Sequence, residues 1–241
     1  MARKGTTSAA KKRRRKPKVE QLTIFRVMHG GARPGAGRRK SQDSGVSHAA
    51  REKVNHNDVI LVTTKVVPGL PSLRGYHAYL KILECFEKGC EKDGFRLVEF
   101  SVQSNHLHLL VEGDDRSSLS RGLQGLLSGL LSRLARALNR LWSRSGRLWA
   151  DRYHDRVLRT PSAVRNALRY VLHNVKKHCA GFKSSLPDSR SSGDWFTGWL
   201  ESFERSRLAR MFERPVARAR SWLLRVGWLL HGRLSLHESP A

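Results

Sequence analysis

The stretch Asn105-His106-Leu107-His108-Leu109-Leu110-Val111-Glu112 sets two histidines one residue apart inside an apolar frame. In a strand, alternate residues face the same way, so His106 and His108 project from one face while Leu107, Leu109 and Val111 point into a core. At a rise of roughly 3.3 Å per residue, the two imidazoles stand about 6–7 Å apart along one rigid face, placed to converge on a metal ion. The pair is not complete on its own. A metal needs a third ligand and outer-shell partners, and a lone strand histidine is usually a satisfied structural residue.

Working outward, the segments on either side alternate between strand and helix signals. Asp58 to Val67 is rich in Val, Ile and Thr and reads as a strand, stopped by Pro68-Gly69-Leu70-Pro71. Arg74 to Lys92 carries Tyr76, Tyr79, Leu80, Leu83 and Phe86 at a helical period. Phe95 to Val102 is a second strand, and Gln103-Ser104-Asn105 turns the chain into the histidine strand. A long helix is expected from about Leu119 to Trp142, capped by Ser117 or Ser118, with the stripe Leu119, Leu123, Leu126, Leu127, Leu130, Leu134, Leu138 and Leu141. Gly146 to Trp149 and Asp155 to Arg159 are short strand candidates. Thr160-Pro161 then starts a helix running to about His178, a hydroxyl cap followed by proline at the first helical position. A β-α-β-β-α-β run followed by a further helix predicts an α+β fold of the ferredoxin-like plan, an antiparallel sheet with helices on one face.

Charge organises the rest. Lys and Arg number 46 against 20 acids, a formal net charge of +26, which makes a polyanion the expected partner. Residues 1–40 hold 14 Lys or Arg and one acid, Glu20, and Gly30 to Lys40 is rich in Gly and Arg. The expected organisation is therefore a disordered basic arm over 1–56, a globular domain over 57–180, and a Ser-rich loop with a C-terminal helical extension over 181–241. Candidate nucleic-acid contacts are Arg13, Arg14, Arg15, Arg33, Arg38, Arg39 and Lys40 in the arm, Arg152 and Arg156 in the domain, and Lys176 and Lys177 on its last helix. Cys85, Cys90 and Cys179 form no CxxC pair, and no run reaches the length of a membrane span. A reducing, cytoplasmic and nucleoid-associated setting is expected.

Chemistry on a phosphodiester needs a nucleophile beside the histidines. A histidine-triad hydrolase would place a third histidine where Leu110 stands. A two-histidine phosphoesterase would need a second His-x-Ser/Thr strand, which no strand candidate begins. Of the tyrosines, Tyr76 and Tyr79 read as core, and Tyr153 lies in the charged run Asp151 to Arg156 with a structural or DNA-contact role. Tyr170 lies in the capped helix, where spacing alone leaves nucleophile and packed core residue equally open. Asn174, four residues on, shares its helical face and offers a carboxamide oxygen as a third hard ligand.

The histidine strand, Asp151-Arg152-Tyr153-His154, Thr160-Pro161 and Tyr170-Val171-Leu172-His173-Asn174, in this order, resemble the REP-associated tyrosine transposases of bacteria. That family belongs to the single-tyrosine HUH nucleases and is close to the small insertion-sequence transposases. The resemblance covers roughly residues 57–180. It implies a ferredoxin-like catalytic domain with His106 and His108 as ligands of Mg²⁺ or Mn²⁺ and Tyr170 as the nucleophile. Many relatives carry Gln where this chain has Asn174 as third ligand. The implied activity is cleavage and joining of single-stranded DNA at hairpin-forming repeats through a 5′-phosphotyrosine, by a monomer or homodimer. A domesticated, non-catalytic DNA- or RNA-binding regulator is the rival expectation. A ribosomal or RNA-chaperone protein would account for the charge but not for the histidine pair.

Overall fold

Alternation in the residues around the histidine strand builds a five-stranded sheet in the computed structural model, which describes residues 58–113, 123–178 and 186–240. The elements are β1 (Val59–Lys65), α1 (Tyr76–Glu87), β2 (Glu91–Lys92), β3 (Phe95–Val102), β4 (His106–Glu112), α2 (Leu123–Leu141), β5 (His154–Leu158), α3 (Pro161–His178) and a single-turn α4 (Trp222–Arg225). Strand order is β2-β3-β4-β1-β5, every neighbouring pair antiparallel. Without β2, this is the strand order of the ferredoxin-like plan, with the histidine strand between the two strands that α1 connects. Register sets Thr63 opposite His108 and Lys65 opposite His106 on β1.

Both faces of the sheet are covered. One face carries Ile60, Val62, Leu97, Phe100, Leu107, Leu109 and Val111 against α1 and the leucine stripe of α2. The two helices of the six-element run thus share a face. The other face carries Val59, Val98, Leu110 and Leu158 against α3 and the C-terminal chain. Leu107, Leu109, Leu110 and Val111 are each fully buried, and each such side chain is stabilised by about 1.5–3 kcal/mol relative to exposure. Thr160 caps α3 through its hydroxyl, which accepts from the Ala163 amide at 3.2 Å, and Pro161 takes the first helical position.

Three expectations change. α1 stops at Glu87 instead of Lys92, because the chain must turn into a hairpin. Asp93-Gly94 joins β2 to β3 across the Lys92–Phe95 pair, with Gly94 at φ 76°, the left-handed geometry that two-residue hairpins favour. The Ser-rich stretch is a loop where it is described, but a buried one. Ser191 and Ser192 are fully buried along β3, Phe100 donates its amide to Ser192 Oγ at 2.9 Å, and Ser192 donates to Glu99. Arg74 clamps the same segment through a bidentate pair with buried Asp188 at 2.8 and 2.9 Å.

The C-terminal extension is mostly irregular rather than helical. Beyond α4 it holds only 3₁₀ turns, at Ser192–Asp194, Ala209–Met211 and Gly227–His231. Pro215 and close contacts at glycine limit longer helices. A Cβ on Gly198 would lie 2.4 Å from the Trp228 ring. Side chains do the work of helical hydrogen bonds. Glu112, fully buried, accepts from Arg96 Nε at 2.7 Å, the Arg220 amide at 2.6 Å and the Ser221 amide at 3.0 Å. All described residues fall in one compact unit, and no described helix is long and apolar enough to cross a membrane. The arm residues Arg13, Arg14, Arg15, Arg33, Arg38, Arg39 and Lys40 lie outside the described residues, as do Ser117, Ser118 and Leu119.

Removing the Glu112 carboxylate leaves Arg96 as a buried, uncompensated charge, so Glu112→Ala is expected to cost about 3–5 kcal/mol by urea denaturation. An unchanged midpoint would show the tie to be dispensable. Burial pushes the Glu99 carboxyl up to about 8, only partly offset by the bond from Ser192. Ionising it therefore costs the folded state more than the unfolded one. Stability should be fully kept below the ordinary carboxylate range and fall as pH rises toward about 8. Glu99→Gln should flatten that slope in Tm measured across pH, and an equal slope in both proteins would refute it.

Candidate active site

Period-two alternation along β4 puts His106 and His108 on the α3 face of the sheet, with ring centroids 4.8 Å apart and planes at 83°. This is closer than the strand spacing alone predicts, because the rings tilt toward each other. His108 is 3% exposed, whereas His106 sits at the half-exposed end of the strand. Neighbouring groups set their protons. His106 donates Nδ1–H to Asn105 Oδ1 at 2.8 Å, and since that oxygen only accepts, the lone pair of the ring lies on Nε2. His108 Nδ1 lies 3.0 Å from Thr63 Oγ1 on β1. With Nδ1–H donated to that hydroxyl, Nε2 carries the lone pair here too.

The hydroxyl of Tyr170 lies 3.3 Å from His108 Nε2, and the two rings meet edge to face at 4.9 Å between centroids. α3 reaches this position because Val164, Leu168, Val171 and Leu172 are buried on the sheet, which turns Tyr170 toward the histidines. Burial pushes the Tyr170 phenol above its ordinary value, so a compensating positive charge is needed to favour the phenolate. The other tyrosines stay away. Tyr153 and Tyr79 pack in the core on the opposite face, and Tyr76 is exposed. Burial also raises the Tyr79 phenol, leaving it neutral.

Asn174 is fully buried, and neither its Oδ1 nor its Nδ2 has a hydrogen-bond partner. A buried carboxamide left in this way costs about 1–3 kcal/mol, a penalty that a bound cation or a substrate would relieve. Among the described residues, no cluster of three or more His, Cys, Asp and Glu is placed to hold a metal. Among the described residues a third protein ligand would thus come from another residue type, and the orphaned carboxamide oxygen of Asn174 is one.

The remaining candidates separate. Arg156 is exposed on β5 opposite Leu61, so register sends it to the histidine face, and Arg152 is exposed in the turn before β5. The side chains of Lys176 and Lys177, on the last turn of α3, lie outside the described residues. Sequence reading missed two members of the site. Thr63 stands opposite both His108 and His154, which makes a row of Ser101, His108, Thr63 and His154 across β3, β4, β1 and β5. Exposed His154 lies about 10 Å from His108 across two strand spacings. No local signal reveals such a row, since it exists only once register is fixed.

Comparison with known proteins bears on this geometry. The family model described as "Transposase IS200 like" matches residues 73–174, a span that contains His106, His108, Tyr170 and Asn174. No curated protein matches the chain. Among solved structures, that of a REP-associated tyrosine transposase bound to a REP hairpin is similar at a TM-score of 0.48 and 16% identity, over 73% of this chain and 93% of that one.

Asn174→Leu replaces two orphaned polar atoms by apolar ones of similar size. In the absence of divalent ions it should stabilise the protein by roughly 1–3 kcal/mol in urea. Destabilisation of that size would mean that the carboxamide is satisfied in solution.

Proposed function

From a chain whose residues 73–174 match the model of IS200-like transposases, we infer an enzyme that cuts and rejoins single-stranded DNA at hairpin-forming repeats through Tyr170. The observation that carries this reading is the 3.3 Å approach of the Tyr170 hydroxyl to His108 Nε2, beside the tilted ring of His106. Both partners come from one chain, which supports a nucleophile acting in its own subunit.

His106 and His108 through Nε2, with the Asn174 carboxamide oxygen, would hold Mg²⁺ or Mn²⁺, and the orphaned state of that carboxamide supports the fit. When bound, such an ion supplies Lewis-acid stabilisation of charge on the scissile phosphate. The protein does the rest. Asn105 holds His106 in the tautomer that presents Nε2, and Thr63 orients the His108 ring through Nδ1. Tyr170 loses its phenol proton to solvent, and its oxygen attacks phosphorus in line. The bond from phosphorus to the 3′-oxygen breaks, that oxygen takes up a proton, and a 5′-phosphotyrosine remains. Attack by a 3′-hydroxyl on this linkage reverses the step and releases Tyr170, so joining needs no ATP. Exposed Arg152 and Arg156, with the +26 charge of the chain, favour a polyanionic strand and predict binding that weakens steeply with salt.

Labelled single-stranded hairpin DNA incubated with the protein and Mn²⁺ should give an SDS-resistant adduct. Tyr170→Phe should abolish it and leave DNA affinity nearly unchanged, while Tyr153→Phe should keep it. His106→Ala and His108→Ala should each remove metal-dependent nicking. An adduct that survives in Tyr170→Phe would assign the nucleophile elsewhere. Tight hairpin binding with no adduct under any divalent ion would favour the non-catalytic regulator instead.

A further inference from the structure

Beside β3, the C-terminal chain lines a half-open cavity of about 410 Å³, a size that suits a small organic ligand. Its floor is the irregular step in β3, where the register shifts between Leu97 and Glu99. Glu99 lies two residues from Ser101, the cross-strand partner of His108, so the cavity opens roughly 7 Å along the strand from the histidines. Leu168 of α3 forms one side.

The lining combines two kinds of group. Trp195, Phe196 and Trp228 supply aromatic surface, and Phe196 and Trp228 lie at 5.5 Å between centroids. Arg214, Arg218 and Arg225 supply guanidinium groups; Arg214 acts on the Glu99 carboxyl in the same lining, and none of the three makes an ion pair within 4.0 Å among the described residues. Two donors lining the cavity are orphaned. Trp195, only 3% exposed, has no acceptor for its Nε1–H, and Arg214 has none for Nε–H. An indole N–H can only donate, so leaving it buried and unpaired costs about 1–3 kcal/mol unless a ligand oxygen or ring nitrogen meets it. Inorganic phosphate would use the arginines and leave the aromatic wall idle. A nucleotide uses both, because its base meets aromatic surface and its phosphate meets guanidinium.

We propose that this cavity binds one unstacked nucleotide of the DNA strand that flanks the scissile phosphate, its base against Trp195, Phe196 and Trp228 and its phosphate on Arg214, Arg218 and Arg225. The inference rests on the single-stranded DNA reading of the active site and adds a place where sequence is read. Gly198 is part of the construction, since a side chain there would drive Trp228 from the wall.

The test uses the full chain without divalent ion, so that no cleavage intervenes. Hairpin oligonucleotides with single-stranded flanks, each carrying one abasic position, are titrated by fluorescence anisotropy. One flank position should weaken binding about tenfold when abasic, the scale of one base stacked on aromatic surface. Thr197→Trp, an exposed lining residue whose new indole fills the cavity, should weaken binding of the intact oligonucleotide about as much and should abolish the abasic effect at that position. Phe196→Ala, which removes part of the aromatic wall at a half-buried position, should show the same loss of coupling if the larger substitution unfolds the chain. Losses that multiply instead of cancelling, or no sensitive flank position, overturn the proposal. An adduct on Tyr170 without this coupling removes the pocket alone. Coupling without any adduct removes the phosphotyrosine step alone.

Discussion

Two-residue alternation in the central strand β4 is the constraint on which the rest depends. Leu107, Leu109 and Val111 are fully buried on one face, so a register slip of one residue would expose them and bury the histidines in their place. The hydrophobic effect therefore fixes the position of His106 and His108 far more firmly than any contact the imidazoles make. Neighbouring strands complete the site at no further cost. β1 brings Thr63 to His108 Nδ1, and the turn before β4 brings Asn105 to His106 Nδ1. Each imidazole is thereby oriented through one nitrogen and presented through the other.

The α3 face would be poorly covered without the C-terminal chain, and that chain has little regular structure. It is held by carboxylates that accept from backbone amides and hydroxyls. Glu112 takes the amides of Arg220 and Ser221, Asp194 takes Ser206, and Glu201 takes Ser235 and Leu236. Indoles contribute in the same way, Trp199 donating to the Gly193 carbonyl at 2.9 Å and Trp228 to that of Leu224 at 3.1 Å. A segment built on such specific acceptors is shaped to its surface, and it leaves gaps where a helix would have packed flush. The arginine- and tryptophan-lined cavity is one of these gaps.

Several buried polar groups lack hydrogen-bond partners. The carboxamide of Asn174, the indole N–H of Trp195 and Nε of Arg214 are buried without partners, and the Tyr170 phenol is made harder to ionise by burial. A fold selected for stability alone would replace such groups with apolar ones. Bound ligands would satisfy these groups.

The sequence by itself determined the antiparallel α+β plan, the face on which both histidines stand, the proline-started helix and the strongly positive charge of the chain. Each of these follows from local periodicity, capping chemistry or net charge, which need no knowledge of distant residues. Tertiary structure decided the rest. Spacing left Tyr170 balanced between nucleophile and core residue, and only the packing of α3 on β3 and β4 placed its hydroxyl beside His108. Thr63 and His154 joined the histidine row through strand register, which no local pattern encodes. The Ser-rich stretch and the tail looked like loop and helix because their composition says nothing of burial. Their course was set by partners 90 to 110 residues away in the chain, among them Phe100, Glu99 and Glu112.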